Sequence, residues 1–263
     1  MFFRQIIKSF FAAFSLYSKI PLPPFKWDSE DMKFHLLFFP FVGALIAFVS
    51  YFLYKNFHIT SPLIALLIPL LITGGFHVDG FMDTMDALHS YGDRQKKLEI
   101  LKDPHVGAFS IISLLVFILI LLESLSEIFE KPGMEVIFLC HSFIISRILS
   151  ALSVILFPKA KKEGMLVVES RTESRSLVIF ILLAEMILDF LILGFYVFNH
   201  GKSLYDFLIF PLFIAVMLLA FLYYYLMSRK HFGGISGDLS GFFVCISEAA
   251  FTVAIVILKK AMV

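Results

Sequence analysis

Residues 106–122, VGAFSIISLLVFILILL, run for seventeen positions without a charged side chain. A bilayer-spanning helix needs roughly 17–25 mostly apolar residues. Comparable runs lie on both sides, near 36–54, 62–79, 134–157, 177–198, 206–227 and 239–258. Of the 263 residues 59% are hydrophobic and 33 are phenylalanine, where a soluble domain has about 45–50% apolar residues. The mean hydropathy is +0.90. The pattern predicts an all-α polytopic integral membrane protein with about seven transmembrane helices. Nothing between the runs is long enough for a separate soluble domain, so 1–263 reads as one membrane-embedded domain.

The net charge is +1, which gives no reason to expect a nucleic-acid partner. The distribution of charge says more. Arg4, Lys8, Lys19, Lys26, Lys33, Arg94, Lys96, Lys97, Lys102, Lys159, Lys161, Lys162, Arg171, Arg175, Arg229 and Lys230 fall in alternate loops, and Lys55, Lys131, Lys202, Lys259 and Lys260 fall in the others. The positive-inside rule then predicts a cytoplasmic N-terminus in the cell (inner) membrane. Residues 1–20 carry Arg4, Lys8, Ser15 and Lys19 within about 60° of one another if helical, with Phe3, Ile7, Phe10, Phe11 and Phe14 around the rest. That is the pattern of an interfacial amphipathic helix on membrane lipid. No small-residue cleavage site follows, so a signal peptide is not expected. Cys140 and Cys245 both fall inside spans and are expected as buried free thiols.

Against this background residues 74–86, GGFHVDGFMDTMD, stand apart. On a helix Asp83 lies about 40° and Asp86 about 20° from Asp79, on opposite sides. Three carboxylates on one stripe repel one another and resist leaving water, so the spacing points to a divalent cation, with Asp79, Asp83 and Asp86 as ligands. A solvated juxtamembrane helix face is the plainer alternative. The segment 74–107 continues through Tyr91-Gly92 to Asp93, an expected N-cap of a short amphipathic helix ending near Lys102.

A second segment, 231–248, repeats the Gly-Gly-x-x-x-Asp spacing: Gly74-Gly75 precede Asp79, and Gly233-Gly234 precede Asp238. Paired glycines let backbone N–H groups approach phosphate oxygens, and a helix beginning there adds its dipole. Gly74, Gly75, Gly233, Gly234, Ser236 and Gly237 are therefore candidate substrate contacts, with the basic stretch Phe157 to Ser176 on the same side. Carboxylates, lysines and glycine turns on one membrane face suggest phosphoryl transfer assisted by Mg²⁺, which takes carboxylate and phosphate oxygens.

His77 would face away from the stripe on a continuous helix, as a catalytic group if the Gly-Gly turn reaches it and otherwise as a structural histidine. Arg147, near the middle of the fourth span, should pair with an acid or line a wet cavity as a substrate contact. Glu185 and Asp189, four residues apart in the fifth span, are possible partners. Glu248 lies about 15 Å along a straight helix from Asp238, too far to share its metal.

The chain resembles the cobalamin synthase family, the adenosylcobinamide-GDP ribazoletransferases. The resemblance rests on Tyr17-Ser18-Lys19-Ile20-Pro21-Leu22-Pro23, Phe39-Pro40-Phe41-Val42-Gly43 and Thr73-Gly74-Gly75-Phe76-His77-Val78-Asp79-Gly80 with Asp83 and Asp86. It continues in Leu98-Glu99-Ile100-Leu101-Lys102-Asp103 with Gly107, and in Gly233-Gly234-Ile235-Ser236-Gly237-Asp238 with Gly241 and Glu248. It implies a Mg²⁺-dependent membrane enzyme that joins α-ribazole or its 5′-phosphate to adenosylcobinamide-GDP and releases GMP. The same resemblance implies Asp79, Asp83 and Asp86 as metal ligands, Asp103 and Asp238 as further ligands or positioning groups, and Lys102 and a residue of Lys159–Lys162, such as Lys161, on phosphate. The chain departs from the family pattern at Pro104-His105 and Lys161, where arginines stand, and at Cys245.

Two other readings fit less well. A phosphatidyltransferase acting on a CDP-linked lipid would need Ala-Arg after the Asp-Gly, and this chain has Phe81-Met82. An ion-coupled transporter would place its carboxylates near the bilayer midplane, and the main cluster lies at the expected cytoplasmic edge. A homo-oligomer is compatible with the sequence but not indicated by it.

Overall fold

The computed structural model describes residues 2–23, 34–161, 166 and 175–262. Lys26, Lys33, Lys162 and Arg171 of the charge pattern lie outside the described residues, as do Glu163 and Gly164. Among the described residues ten α-helices follow in chain order: α1 Phe2–Tyr17, α2 Phe39–Phe57, α3 Pro62–Thr73, α4 Phe76–His89, α5 Arg94–Ile100, α6 Ala108–Glu130, α7 Met134–Leu156, α8 Arg175–His200, α9 Leu204–His231 and α10 Gly237–Met262, with a 3₁₀ turn His35–Phe38 leading into α2. Including that turn with α2, six helices among the described residues are long and apolar enough to cross a membrane; the bent pair α3–α4 makes up to seven.

Local chemistry sets the boundaries. Ser61 caps α3 by accepting from the Ile64 N–H, with Pro62 at the first helical position. Asp93 accepts from the Lys96 N–H at 2.9 Å and starts α5, as its spacing predicts. Ser203 and Asp206 form a reciprocal capping box on α9.

α7 is the central helix. It packs against α2, α8, α9 and α10 and buries Phe138, Ile145, Ile148 and Ala151 completely. α6, α8 and α9 turn large apolar side chains outward, among them Leu119, Leu191 and Phe195, a surface suited to lipid tails. α1 buries Ala12, Ala13 and Phe14 and leaves Arg4, Ile7 and Ser15 exposed.

The run at 62–79 is not one straight span. Gly74 and Gly75 both take left-handed backbone, φ 70° and 80°, which costs a residue with a Cβ far more than glycine. The chain turns by 96° there. α4 therefore begins at Phe76, runs to His89 and carries the whole aspartate stripe.

Candidate active site

Two glycines let α4 meet α10 closely. A Cβ on Gly80 would lie 2.6 Å from the Asp238 carbonyl oxygen, and one on Gly241 would lie 3.1 Å from the His77 backbone. Beside them the rings of Phe81 and Phe242 stack with centroids 5.8 Å apart. This contact carries the second Gly-Gly-Asp segment onto the aspartate stripe, so that Asp83 sits in the field of Asp79, Asp86 and Asp238. The Asp86 carboxylate rests against Gly107. Among the described residues none of the Asp79, Asp83 and Asp86 carboxylates has a hydrogen bond or ion pair. Asp238 accepts a 3.4 Å bond from Ser236 Oγ and feels the opposite charge of Lys161. No three His, Cys, Asp or Glu side chains among the described residues converge on one metal-sized point.

The segment after α7 closes the same region. Ile235 N donates to Pro158 O at 2.8 Å and Ala160 N donates to Ile235 O at 2.9 Å, so residues 158–160 are stitched to the turn before α10. Lys159 and Lys161 thereby share the wall of one open cleft with Asp79 and Asp238. Ser236 and Gly237, at the start of α10, line it too, and Tyr17, Phe39 and Phe76 form an aromatic part of the wall. Lys159 Nζ donates to Phe157 O at 2.7 Å. Burial first, and the Arg175 guanidinium second, push its pKa down to about 8.

Two basic residues that sequence reasoning treated only as loop charge have structural posts. Arg94 lays its guanidinium against Gly233. Lys97 is buried and donates from Nζ to the carbonyls of Ala87, Leu88 and Ser90 at 2.8, 3.0 and 2.8 Å. A cation there satisfies orphan carbonyls at the negative end of the α4 dipole. Burial lowers the Lys97 pKa.

Of the predicted site residues, Asp79, His77, Lys161, Ser236, Gly237 and Asp238 border the cleft. Asp83 and Asp86 follow on the same stripe, Gly74 and Gly75 form the α3–α4 corner, and Gly233 and Gly234 form the turn before α10. His77 is buried, and its Nε2 has no hydrogen-bond partner. Lys102 and Asp103 lie exposed after α5. Asp103 accepts from the His105 N–H at 3.0 Å and faces His105 Nδ1 at 2.6 Å. These bonds hold its carboxyl below the usual range.

Arg147 does not border that cleft. It is 1% exposed, and its Nη1 donates to Glu248 Oε1 at 2.6 Å and Phe143 O at 2.7 Å, while Ser146 Oγ donates to the same glutamate oxygen at 2.8 Å. The pair lies beside a separate, mainly apolar cavity between α2, α3, α6, α7 and α10. Glu185 and Asp189 are thus not its partners: Asp189 Oδ1 sits 2.8 Å from His141 Nδ1, and Glu185 Oε2 is buried without a hydrogen bond. α7 touches both α8 and α10, and only the packed structure chooses between their acids.

The family model for cobalamin-5-phosphate synthase matches residues 9–256. A protein of Lachnoclostridium phytofermentans, named adenosylcobinamide-GDP ribazoletransferase, is 33% identical over 98% of this chain and 96% of its own. Proteins of the same name from Clostridium perfringens and Treponema denticola are 31% and 30% identical, covering 89% and 93% of this chain and 91% and 95% of theirs. No solved structure matches. With a match running from α1 nearly to the end of α10, through both Gly-Gly-Asp segments that form the cleft, the chain belongs to the cobalamin-5-phosphate synthase family.

Proposed function

We propose that the cleft joins α-ribazole, or α-ribazole 5′-phosphate, to adenosylcobinamide-GDP with release of GMP, on the cytoplasmic side of the cell membrane. One observation carries this reading: Asp79, Asp238, Lys159, Lys161 and the start of α10 share a single cleft, in a chain whose relatives bear the ribazoletransferase name. A diphosphate needs cations and bare N–H donors around its oxygens, and these residues offer both.

Asp79, Asp83, Asp86 and Asp238 fit a hard divalent cation, because their donors are carboxylate oxygens and the three stripe carboxylates have no internal partner. Mg²⁺ commonly takes only one or two carboxylates and completes its shell with phosphate oxygens and water, so a closed three-ligand protein cage is not required. When bound, Mg²⁺ supplies neutralisation of the diphosphate charge.

The chain's own groups account for the rest. Lys159 and Lys161 bind phosphate oxygens and orient the diphosphate, with the Gly237 N–H at the start of α10 beside the same charge. A ribazole hydroxyl oxygen forms the new bond to the phosphorus on the cobinamide side while the bond to the GMP oxygen breaks. The hydroxyl proton leaves toward a carboxylate of the cleft that does not hold the ion, Asp79 or Asp238. Purified protein in lipid vesicles is expected to release GMP from adenosylcobinamide-GDP only when ribazole or its phosphate is present. Release without an acceptor, or no release with one, overturns the reading.

A further inference from the structure

The cleft has two chemically different walls, and the phosphoryl-transfer reading uses only one. The other is aromatic. Tyr17 and Phe39 lie 4.2 Å apart between ring centroids, Tyr17 and Phe76 lie 6.3 Å apart, and their planes are tilted by only 34° and 31°. Phe76 lies against the His77 ring at 3.9 Å. Leu16 and Leu36 extend the wall. The His77 ring behind it is buried, with its Nε2 unpartnered.

Tyr17 comes from α1, the helix whose sequence reads as a membrane anchor. Two contacts tie its end to the α3–α4 corner: Lys19 N donates to Ile72 O at 2.8 Å, and the Lys19 stem covers Gly74. The corner that starts the aspartate helix therefore also fixes Tyr17.

We propose that Tyr17 and Phe76, with Phe39 buried against Tyr17, hold the base of the ribazole, a flat methylated benzimidazole, so that α1 is part of the acceptor subsite. This rests on the phosphoryl-transfer reading. The polar wall, with its lysines and carboxylates, suits the diphosphate, which leaves the facing wall for an apolar ring. Aromatic faces stack on any flat base, but edge chemistry discriminates. Guanine would place several donors and acceptors against a wall that is mostly aromatic and leucine carbon, and would leave most of them unpaired. A corrin rimmed with amides meets the same objection. A methylated benzimidazole carries carbon on most of its edge and a single free ring nitrogen.

The test uses full-length protein in lipid vesicles, with KM measured separately for α-ribazole and for adenosylcobinamide-GDP. Tyr17→Leu and Phe76→Leu keep apolar bulk and remove a ring face, and Tyr17→Phe keeps the ring. Loss of a stacking face is expected to raise the KM for ribazole about tenfold or more, with the KM for adenosylcobinamide-GDP within about twofold and Tyr17→Phe near wild type. The unsubstituted benzimidazole riboside should show a smaller penalty than ribazole itself. A rise in KM for the GDP substrate alone, or no rise in either, overturns the assignment. Wild-type protein that forms no product would instead overturn the function on which it rests. If the leucine variants fail to fold, ribazole protection of Tyr17 and Phe76 from photo-oxidative labelling decides the matter: protection by ribazole supports it, and protection by GDP alone refutes it.

Discussion

Gly80 of α4 sits against the backbone of Asp238 on α10, so close that a Cβ would come within 2.6 Å of the Asp238 carbonyl oxygen. That contact joins the two Gly-Gly-Asp segments. Gly80→Ala is expected to force α4 and α10 apart, costing about 1–3 kcal/mol of stability as overpacking does, and to abolish most activity by displacing Asp238 from the stripe. Gly241→Ala, whose Cβ would meet the His77 backbone at 3.1 Å, should be milder on both counts. Thermal midpoints and initial rates of the two variants in the same detergent check the order.

The Arg147–Glu248 pair should behave as a buried ion pair. Arg147→Met or Glu248→Gln alone leaves a partner without its counterpart at 1% and 17% side-chain exposure, and each is expected to cost about 3–5 kcal/mol. The double change Arg147→Met with Glu248→Leu should be better tolerated than either single. A double-mutant cycle on denaturation in mild detergent measures the coupling.

Lys159 sets an alkaline limit. Its pKa is pushed down to about 8, mainly by burial, so the charge that binds phosphate is present below about pH 8 and lost above it. The KM for adenosylcobinamide-GDP should rise as pH passes 8, and Lys159→Arg should move that limb upward. Stability moves oppositely for this group. The unfolded chain holds the proton up to the ordinary lysine pKa, so between about pH 8 and that value the Lys159 contribution to stability rises with pH. KM profiles and melting curves over pH 7–10 separate the two effects.

Lys97 fixes the end of α4. Lys97→Met removes three bonds to the Ala87, Leu88 and Ser90 carbonyls, and leaving buried carbonyls unpaired costs about 1–3 kcal/mol. Hydrogen exchange should quicken over 84–90 while α7 stays protected, and activity should fall because Asp86 lies on that last turn. Unchanged protection would contradict the capping role.

Much of this was legible from residue order. The apolar runs gave the helical membrane fold, and the stripe Asp79, Asp83 and Asp86 with the second Gly-Gly-Asp pointed to the candidate site. Gly74-Gly75 signalled a break, but left-handed glycines do not state an angle, and the 96° turn that sends the stripe along α10 depends on packing. Arg147 needed an acid, yet helical spacing says nothing about which helix supplies it. Glu185 and Asp189 fitted as well as Glu248 until the neighbours were known. Lys97 read as a loop charge, and Lys159 only as one member of the Lys159–Lys162 cluster, because burial of a short helix and a loop follows from distant elements. Tyr17 was hidden for the same reason, in a helix whose own pattern explains only its place on the membrane.

The Mg²⁺ dependence of the rate tests the central claim most directly. Product formation by wild type, Asp79→Asn and Asp83→Asn should be followed across Mg²⁺ concentration in lipid vesicles. Each substitution is expected to raise the Mg²⁺ needed for half-maximal rate about tenfold or more, or to abolish turnover, a change of at least ~1.4 kcal/mol in the affinity for the ion. Full activity of Asp83→Asn with an unchanged Mg²⁺ dependence would contradict the account.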